Sequence, residues 1–376
     1  MAFCAREAPL PPIPALARFT TEKRVSMLQL VFDKAAIKQN IAAVKRRAGD
    51  AVIYAVLIND GYGAGLIELA NLLRDDGIRR FAVSEVSDIR RLRKAGFTDE
   101  EILMLRSTTD PDELNELLDL NAVCTIGSYE TGVALNALAE ERSTVAEAHV
   151  LVDTGTGLGG FLPAEPEKLE SIYKFLPNVA ITGTCTQLGG GDINSQMQLF
   201  QQTLDRLHEA KLETGLAHAA SSSALMQIPG VQLDAVRIGG AFLGRCKRRR
   251  GDGLKTVCHG EASLDTVRFL PKGHTVGLNK PVHLKKPTRV AVISVGTRNG
   301  FGAINEESGG LLAWIRAWKK RKNTRVTCRG QKLRLLGGIG PSETAIDVSD
   351  LKCTAGDVVS FDIDPTCARG MERVFR

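Results

Sequence analysis

The stretch VIYAVLINDGYGAGLIELANLLRDDGIRRFAVS, residues 52–84, carries the pattern from which the fold follows. Its two ends, VIYAVL (52–57) and RFAVS (80–84), are short runs rich in β-branched and aromatic residues, which is typical of buried strands. The segment LIELANLLRDDG (66–77) between them has apolar residues at helical spacing and ends at a glycine. A strand, a helix and a second strand in this order indicate two parallel strands joined by a right-handed crossover.

The same alternation of strand and helix continues to about residue 245. Six further strand candidates follow at spacings of about 20–30 residues, which suits repeated β/α units. They are EILML (101–105), NAVCTIG (121–127), AEAHVLVD (146–153), VAITGTC (179–185), GLAHAA (215–220) and DAVRIGG (234–240). Eight such units favour a closed barrel over an open sheet, and the chemistry of a barrel lies at the carboxyl ends of its strands. The residues that directly follow each strand are therefore the candidate site residues.

The character of the sequence changes after the barrel pattern. The run RCKRRRGDGLK (245–255) is basic and contains glycines, which suits a linker. Short β-rich runs with turn signals follow it and predict a mostly antiparallel β-module, interrupted by one helix at 310–323. We therefore expect an α/β protein in which a (β/α)8, TIM-like barrel over residues 28–245 precedes a mostly β C-terminal domain over residues 246–376.

The composition is that of a globular chain, with 376 residues, 43% hydrophobic residues and a mild net charge of +6. This charge does not indicate nucleic-acid binding, and no apolar run reaches the roughly 18 residues of a membrane helix. Eight scattered cysteines show no CxxC spacing, so we expect no metal site, and reduced thiols suit the cytoplasm. Residues 1–27 lack the apolar core of a signal peptide. We expect them to be a disordered tail or a segment that precedes the true start, with Met27 as a plausible start.

A set of motifs stands in a defined order along the chain. They are AVLINDGYGAG (55–65), VDTGTGLGGF (152–161), ITGTCTQ (181–187), HAASSSALM (218–226), VRIGGAFLG (236–244), VAVISVGTRNGFG (290–302) and LLGGIGPSETAIDVSD (335–350). Together they resemble the motifs of the alanine racemase family, from about residue 28 to 376. This resemblance implies amino-acid racemase activity, a pyridoxal phosphate (PLP) cofactor and a head-to-tail homodimer. In such a dimer the β-domain of one subunit completes the site of the other.

The resemblance also assigns roles to five residues of this chain. It implies that the hydroxyls of Tyr62 and Ser222 bind the PLP phosphate and that the backbone at Gly239 approaches it closely. It implies that Arg237 faces the pyridine nitrogen and that His218 orients this arginine. Judged from the residues alone, Tyr62 could equally be a turn aromatic, Ser222 part of a helix cap and Arg237 a structural ion pair.

The residues that would perform the chemistry differ from the family pattern. The position of the PLP lysine is occupied by Ile58, and that of the opposing catalytic tyrosine by Leu278. Leu151 and Leu158 stand where the family has a lysine and an arginine. Further departures in the same pocket are Gln187, Thr297, Asn299, Pro341 and Ser342. Isoleucine has no nucleophile and leucine cannot transfer a proton, so the resemblance and these departures conflict on function.

The sequence therefore predicts a catalytically inactive member of this family. We expect it to bind PLP, or another phosphorylated small molecule, without covalent attachment and as a homodimer, with no nucleic-acid or membrane partner. Two alternatives stay open. One is an active PLP-dependent alanine or amino-acid racemase with a relocated lysine, and the other is a regulatory or structural partner of an active racemase.

Overall fold

The computed structural model describes residues 27–246, 251–278, 280–303 and 325–376. The predicted tail, except Met27, lies outside these ranges. So do residues 247–250 of the predicted linker and the helix predicted at 310–323.

Eight parallel strands form a barrel. They are β2 (Val52–Val56), β3 (Arg80–Val83), β4 (Glu101–Met104), β5 (Cys124–Ile126), β6 (Ala146–Val152), β7 (Val179–Thr186), β8 (Leu216–Ser221) and β9 (Ala235–Ile238). The order around the sheet is β4-β3-β2-β9-β8-β7-β6-β5, and a parallel bridge between Leu103 and Val123 joins its two edges. Each strand lies inside its predicted run or within one residue of it. The predicted barrel fold is confirmed.

Helices follow the strands and cover the outside of the barrel. They are Lys34–Ala48, Leu66–Asp75, Val86–Lys94, Pro111–Asp119, Tyr129–Glu141, Pro166–Lys174, Ile193–Glu209 and Ser222–Gln227. The helix Leu66–Asp75 buries Leu66, Leu69, Ala70 and Leu73, one apolar stripe at helical spacing that packs on the sheet. None of the helices in the described ranges has the length and hydrophobicity needed to cross a bilayer.

A left-handed turn follows β2 at Ile58–Tyr62. Asn59, Asp60 and Tyr62 have φ angles of 53°, 53° and 54°, a conformation that costs L-residues roughly 1–2 kcal/mol each. The Asp60 carboxylate holds this turn, because it accepts the Leu66 N–H at 3.1 Å and pairs with two arginines. Burial raises the pKa of Asp60, but the hydrogen bonds from these partners outweigh it and hold the pKa below its ordinary value.

The arginines that pair with Asp60 come from different parts of the chain. Arg91 lies on the neighbouring barrel helix, and its Nη2 is 3.0 Å from Asp60 Oδ1. Arg373 lies in the final strand of the second sheet, and its Nη2 is 2.7 Å from Asp60 Oδ2. Gly63 adds a second contact, since its backbone lies directly against Pro365. The turn after β2 is therefore a joint between the barrel and the second sheet.

The second sheet has nine strands in the order β11-β14-β17-β16-β15-β18-β10-β1-β19. They are β1 (Leu28–Phe32), β10 (Cys258–Ser263), β11 (Thr266–Leu270), β14 (Thr288–Ile293), β15 (Val326–Cys328), β16 (Gln331–Ile339), β17 (Thr344–Asp347), β18 (Val358–Phe361) and β19 (Glu372–Phe375). β12 (Thr275–Val276) and β13 (Val282–His283) form a separate hairpin. The pairings are antiparallel apart from β1 with β19, which confirms the predicted mostly β module.

The first strand belongs to the second sheet. The predicted division of the chain places Leu28–Phe32 at the start of the barrel, but β1 pairs with β10 and β19. Its side chains pack there, and Phe32 stacks on Phe375 with ring centroids 5.0 Å apart. The barrel is thus framed by strands of one sheet that come before and after it in sequence, while the domain limits themselves stay a prediction.

Replacing Gly63 by alanine tests the joint between the two parts. An added Cβ would overlap the Pro365 carbonyl and lie 2.9 Å from Thr366 N, at a φ of +82°. Gly96 is the matched control, because its φ is +86° but a Cβ there meets nothing within 4 Å. We expect Gly96→Ala to lower the free energy of unfolding by about 1–2 kcal/mol, from backbone strain alone. Gly63→Ala should cost about 1–3 kcal/mol more, from overpacking. Urea unfolding measures both, and equal losses would show that the contact contributes nothing.

Candidate functional site

A cavity of about 720 Å³ opens at the carboxyl ends of the barrel strands, where barrel sites are found. The five residues predicted to bind a cofactor all line it: Tyr62, His218, Ser222, Arg237 and Gly239. Four residues predicted as departures also line it: Ile58, Leu151, Leu158 and Gln187. These nine residues lie on or after five different strands, β2, β6, β7, β8 and β9, and closure of the barrel brings them together.

One end of the cavity is a cradle of backbone N–H groups and hydroxyls. Ser222 Oγ accepts hydrogen bonds from Gly239 N–H at 3.0 Å and from Ala241 N–H at 3.3 Å. Burial raises the pKa of Tyr62 to about 12, partly offset by the Gly240 N–H, so its hydroxyl is protonated at neutral pH. A Cβ on Gly239 would lie 2.6 Å from Tyr62 Cζ, so only glycine lets the ring pack here. The Ser222 and Tyr62 hydroxyls, which accept from these N–H groups, keep their own protons to donate, and two such donors side by side suit an anion such as a phosphate.

Arg237 lies beside the cradle and is only 7% exposed. Its Nη1 donates to His218 Nδ1 at 2.6 Å and to the His218 carbonyl at 3.2 Å. Its Nη2 donates to the Thr186 carbonyl at 2.7 Å and to Gln187 Oε1 at 3.1 Å. Both terminal nitrogens are thus held in place, and Nε–H makes no hydrogen bond to the residues that the structure describes. A ligand atom that accepts a hydrogen bond can use it.

The arginine fixes the protonation of two histidines beneath it. Because the guanidinium can only donate, His218 Nδ1 must accept and the neutral ring carries its proton on Nε2. That proton faces His149 Nδ1 at 2.9 Å, which places the His149 proton on Nε2. Burial lowers the pKa of His149 to about 4. Burial, followed by the charge of Arg237, also lowers the pKa of His218 well below its ordinary value. Both rings are therefore neutral near pH 7.

The opposite wall of the cavity is apolar. Leu103, Leu105 and Leu151 line it, and Ile58, at the predicted position of the PLP lysine, adds apolar surface from the turn that also carries Tyr62. Leu158 lies at the mouth, where it is 83% exposed. Of the described residues that line the cavity, none is a lysine, an aspartate or a glutamate. This half of the site offers no amine that could bond to an aldehyde.

Two further arginines line the cavity, and both are paired. Arg106 holds Glu113 through both terminal nitrogens and donates from Nε to the Ser84 carbonyl at 3.1 Å. Arg245 pairs with Asp364, which lies between strands β18 and β19 of the second sheet. Among the described residues, no cluster of three or more histidine, cysteine or acidic side chains could hold a metal ion.

Of the predicted departures in the second module, none lines this cavity within the residues that the structure describes. Leu278 lies in the loop between β12 and β13, is 85% exposed and does not line the cavity of its own chain. The other predicted departures in this module are also absent from the described lining: Thr297, Asn299, Pro341 and Ser342.

Sequence reasoning missed His149, Cys185 and Arg106. Arg106 directly follows β4, so its position after a strand was a usable signal. Cys185 and His149 lie on inward-facing positions of β7 and β6, and nothing in their neighbours marks them as site residues. Tyr54 Oη bonds to Glu101 below them, and its ring stacks on His218 at 5.5 Å between centroids. The polar core of the barrel is visible only once the strands are closed.

Comparison with known proteins gives a consistent result. Residues 32–246 match the family model described as alanine racemase, N-terminal domain. An alanine racemase of Carboxydothermus hydrogenoformans is 30% identical over 292 residues, which is 75% of this chain and 78% of that protein. A solved alanine racemase of Clostridium difficile 630 has a TM-score of 0.80 at 20% identity, covering 94% of this chain and 96% of that one.

A solved alanine racemase of Bartonella henselae, with covalently bound pyridoxal phosphate, has a TM-score of 0.77 at 21% identity. The match covers 93% of this chain and 99% of that one.

The buried histidines predict how stability depends on pH. Unfolded histidine has a pKa of about 6.5, whereas His149 in the fold has about 4. The unfolded chain therefore binds more protons between these values, and stability should rise with pH by about 1.4 kcal/mol per pH unit for each such histidine. We expect His149→Phe to reduce the slope of the unfolding free energy against pH by about 1.4 kcal/mol per pH unit between pH 5 and 6.5. Urea unfolding at several pH values measures this slope. His274→Asn, at an exposed histidine, is the control. An unchanged slope in His149→Phe would refute the assignment.

Proposed function

Because the chain belongs to the alanine racemase family, we propose that it binds PLP or a related phosphorylated small molecule in this cavity without a covalent link and without racemase activity. One observation carries the proposal. The phosphate-side residues converge in a single cradle, while Ile58 stands in the same cavity at the predicted position of the lysine.

The residues present fit two of the three parts of PLP. In the cradle, the hydroxyls of Tyr62 and Ser222, which the N–H groups from Gly239 to Ala241 hold in place, would donate to the phosphate. Arg237 would face the pyridine nitrogen with its Nε–H. When bound, PLP supplies an electron sink for reactions at the α-carbon of an amino acid. For the aldehyde, the described residues that line the cavity offer no lysine.

Racemisation also needs a group that can donate or accept a proton on each face of the α-carbon. Each such side chain raises the rate by about 10²–10⁴-fold. At the two positions that the resemblance assigns to this role, Ile58 and Leu278 carry no ionisable group. Tyr62, with a pKa of about 12, is suited to donate a hydrogen bond and not to remove a proton. His218 is neutral, with one ring nitrogen bound to Arg237 and the other to His149. These features support binding without turnover.

The absence of a lysine from the described lining also speaks against an active racemase with a relocated lysine. For the assembly, we propose the homodimer that the family resemblance implies, in the cytoplasm. The exposed Leu158 and Leu278 are consistent with contact to a second subunit, since large apolar side chains this exposed often mark an interface. Sedimentation of the protein alone, and then mixed with an active racemase, separates a homodimer from a regulatory partner of such an enzyme.

Titration with PLP tests the binding site. We expect reversible binding by calorimetry, with PLP removed on gel filtration. Ser222→Ala removes the hydroxyl that bridges two backbone N–H groups. A hydrogen bond to a charged group contributes about 1.5–3 kcal/mol, so affinity should fall roughly tenfold or more. Ser171→Ala removes a half-buried hydroxyl that bonds only within helix Pro166–Lys174, away from the cavity; it is the control and should bind normally. Equal affinity of Ser222→Ala and the wild-type protein would rule out the cradle.

Racemase assays test the loss of activity. We expect the purified protein with added PLP to form no D-alanine from L-alanine. Ile58→Lys should capture PLP in a form that borohydride fixes and mass spectrometry detects, whereas Ile58→Met should not. Ile58→Lys should still turn over poorly, because Leu278 and Leu158 replace the predicted opposing base and its support. PLP-dependent formation of D-alanine by the wild-type protein would overturn the proposed function.

A further inference from the structure

The cationic groups of the cavity are all engaged. Arg237 makes four hydrogen bonds to the ends of β7 and β8. Arg106 is held by both carboxylate oxygens of Glu113, and Arg245 by Asp364. No lysine or acidic side chain lines the cavity within the described ranges. Apart from the cradle and the single Nε–H of Arg237, the described lining therefore offers no unpaired charge to a ligand.

The wall opposite the cradle is built from apolar and internally satisfied polar groups. Leu103, Leu105 and Leu151 supply apolar surface. Beside them, Ser107 Oγ bonds to Thr131 Oγ1 at 3.0 Å and accepts the Gly127 N–H at 3.0 Å. Thr125 Oγ1 likewise donates to the Met104 carbonyl at 2.5 Å. These hydroxyls can exchange hydrogen bonds with a neutral ligand group, but they bring no charge to neutralise an anion.

We infer that the site is selective for a phosphate monoester whose opposite end is uncharged, and that it disfavours ligands that carry an amino-acid carboxylate or ammonium group there. This inference rests on the proposed function and names its ligand class. The cradle recognises the phosphate, the apolar wall recognises the body of the ligand, and the hydroxyls accommodate alcohol groups.

The reason is the cost of placing an unpaired charge in this half of the cavity. A carboxylate against Leu151 would lose its water without gaining a counter-ion. It could recruit Arg106 only at the expense of the two-point hydrogen bonding between that arginine and Glu113. An ammonium group meets the same difficulty, since no acidic side chain lines the described wall. An alcohol at the same point carries no such penalty.

Two ligands that share the ring and phosphate separate these cases. Pyridoxine 5′-phosphate ends in an alcohol, whereas N-(5′-phosphopyridoxyl)-L-alanine adds an amine and a carboxylate at the same carbon. Calorimetry on the full chain should show that the alanine adduct binds at least about tenfold more weakly. A tenfold difference corresponds to the free energy of about one hydrogen bond to a charged group. Inorganic phosphate should compete with pyridoxine 5′-phosphate for the cradle.

A pair of variants at one wall position sharpens the test. The readout is the ratio of the two dissociation constants, which does not depend on the absolute affinity of each variant. Leu151→Lys adds a cation to the apolar wall and should bring the ratio toward unity. Leu151→Met, which is uncharged and similar in volume, should keep the wild-type ratio.

The possible outcomes distinguish the inference from the proposed function. If the wild-type protein binds the alanine adduct as tightly as pyridoxine 5′-phosphate, the charge selectivity is refuted while phosphate-ester binding stands. If neither ligand binds at millimolar concentration, the proposed function fails and the inference falls with it. The comparison of ligands on the wild-type protein decides the matter even where Leu151→Lys does not fold.

Discussion

A permanent positive charge buried in the barrel is the constraint on which the site depends. The Arg237 guanidinium cannot lose its proton under ordinary conditions, so its N–H groups must find acceptors. It finds them on Thr186, Gln187 and His218, which ties the ends of β7, β8 and β9 to one another. Burial, together with the same charge, keeps His218 neutral, and the hydrogen bond from the arginine sets the proton positions on His218 and, through it, on His149. One residue thus determines both the shape and the protonation of the barrel interior beneath the cavity.

The two halves of the cavity make different physical demands. The cradle requires positions that only particular residues satisfy: a glycine under the Tyr62 ring and a hydroxyl between two backbone N–H groups. The apolar part of the lining requires only bulk and the absence of charge, which Ile58 and Leu151 provide. This division between a polar part and an apolar part supports the proposal that the cavity binds a ligand without turnover. The strained turn at Ile58–Tyr62 fits this view, because it still delivers Tyr62 to the cradle although its first residue carries no amine.

The sequence predicts the barrel because each β/α unit has a recognisable local pattern of apolar residues, as in VIYAVL and the helix that follows it. It does not predict where LQLVF (28–32) pairs, since a single apolar run says nothing about a partner some 340 residues away. The strand CHGEAS (258–263) escapes notice because only every second residue is buried and these are small. In the site, the motifs single out Tyr62, Ser222 and Arg237. Motif reading gives no access to the tautomers of His149 and His218, or to the pairing of Arg106, because these depend on groups that meet only in three dimensions.

The placement of β1 sets an order for the making of this protein. Strand β1 leaves the ribosome before all eight barrel units, whereas its neighbours β10 and β19 follow them. Chains begin to fold as they leave the ribosome, so the barrel can close while the backbone groups of β1 are still unpaired. Contacts over such separations also form slowly, because a long loop must close first. The nascent chain therefore passes through a stage with a formed barrel and an open strand edge. At that stage Asp60 lacks its ion pair with Arg373. The open strand edge can then pair with other chains, so a chaperone that shields it would have its largest effect at this point.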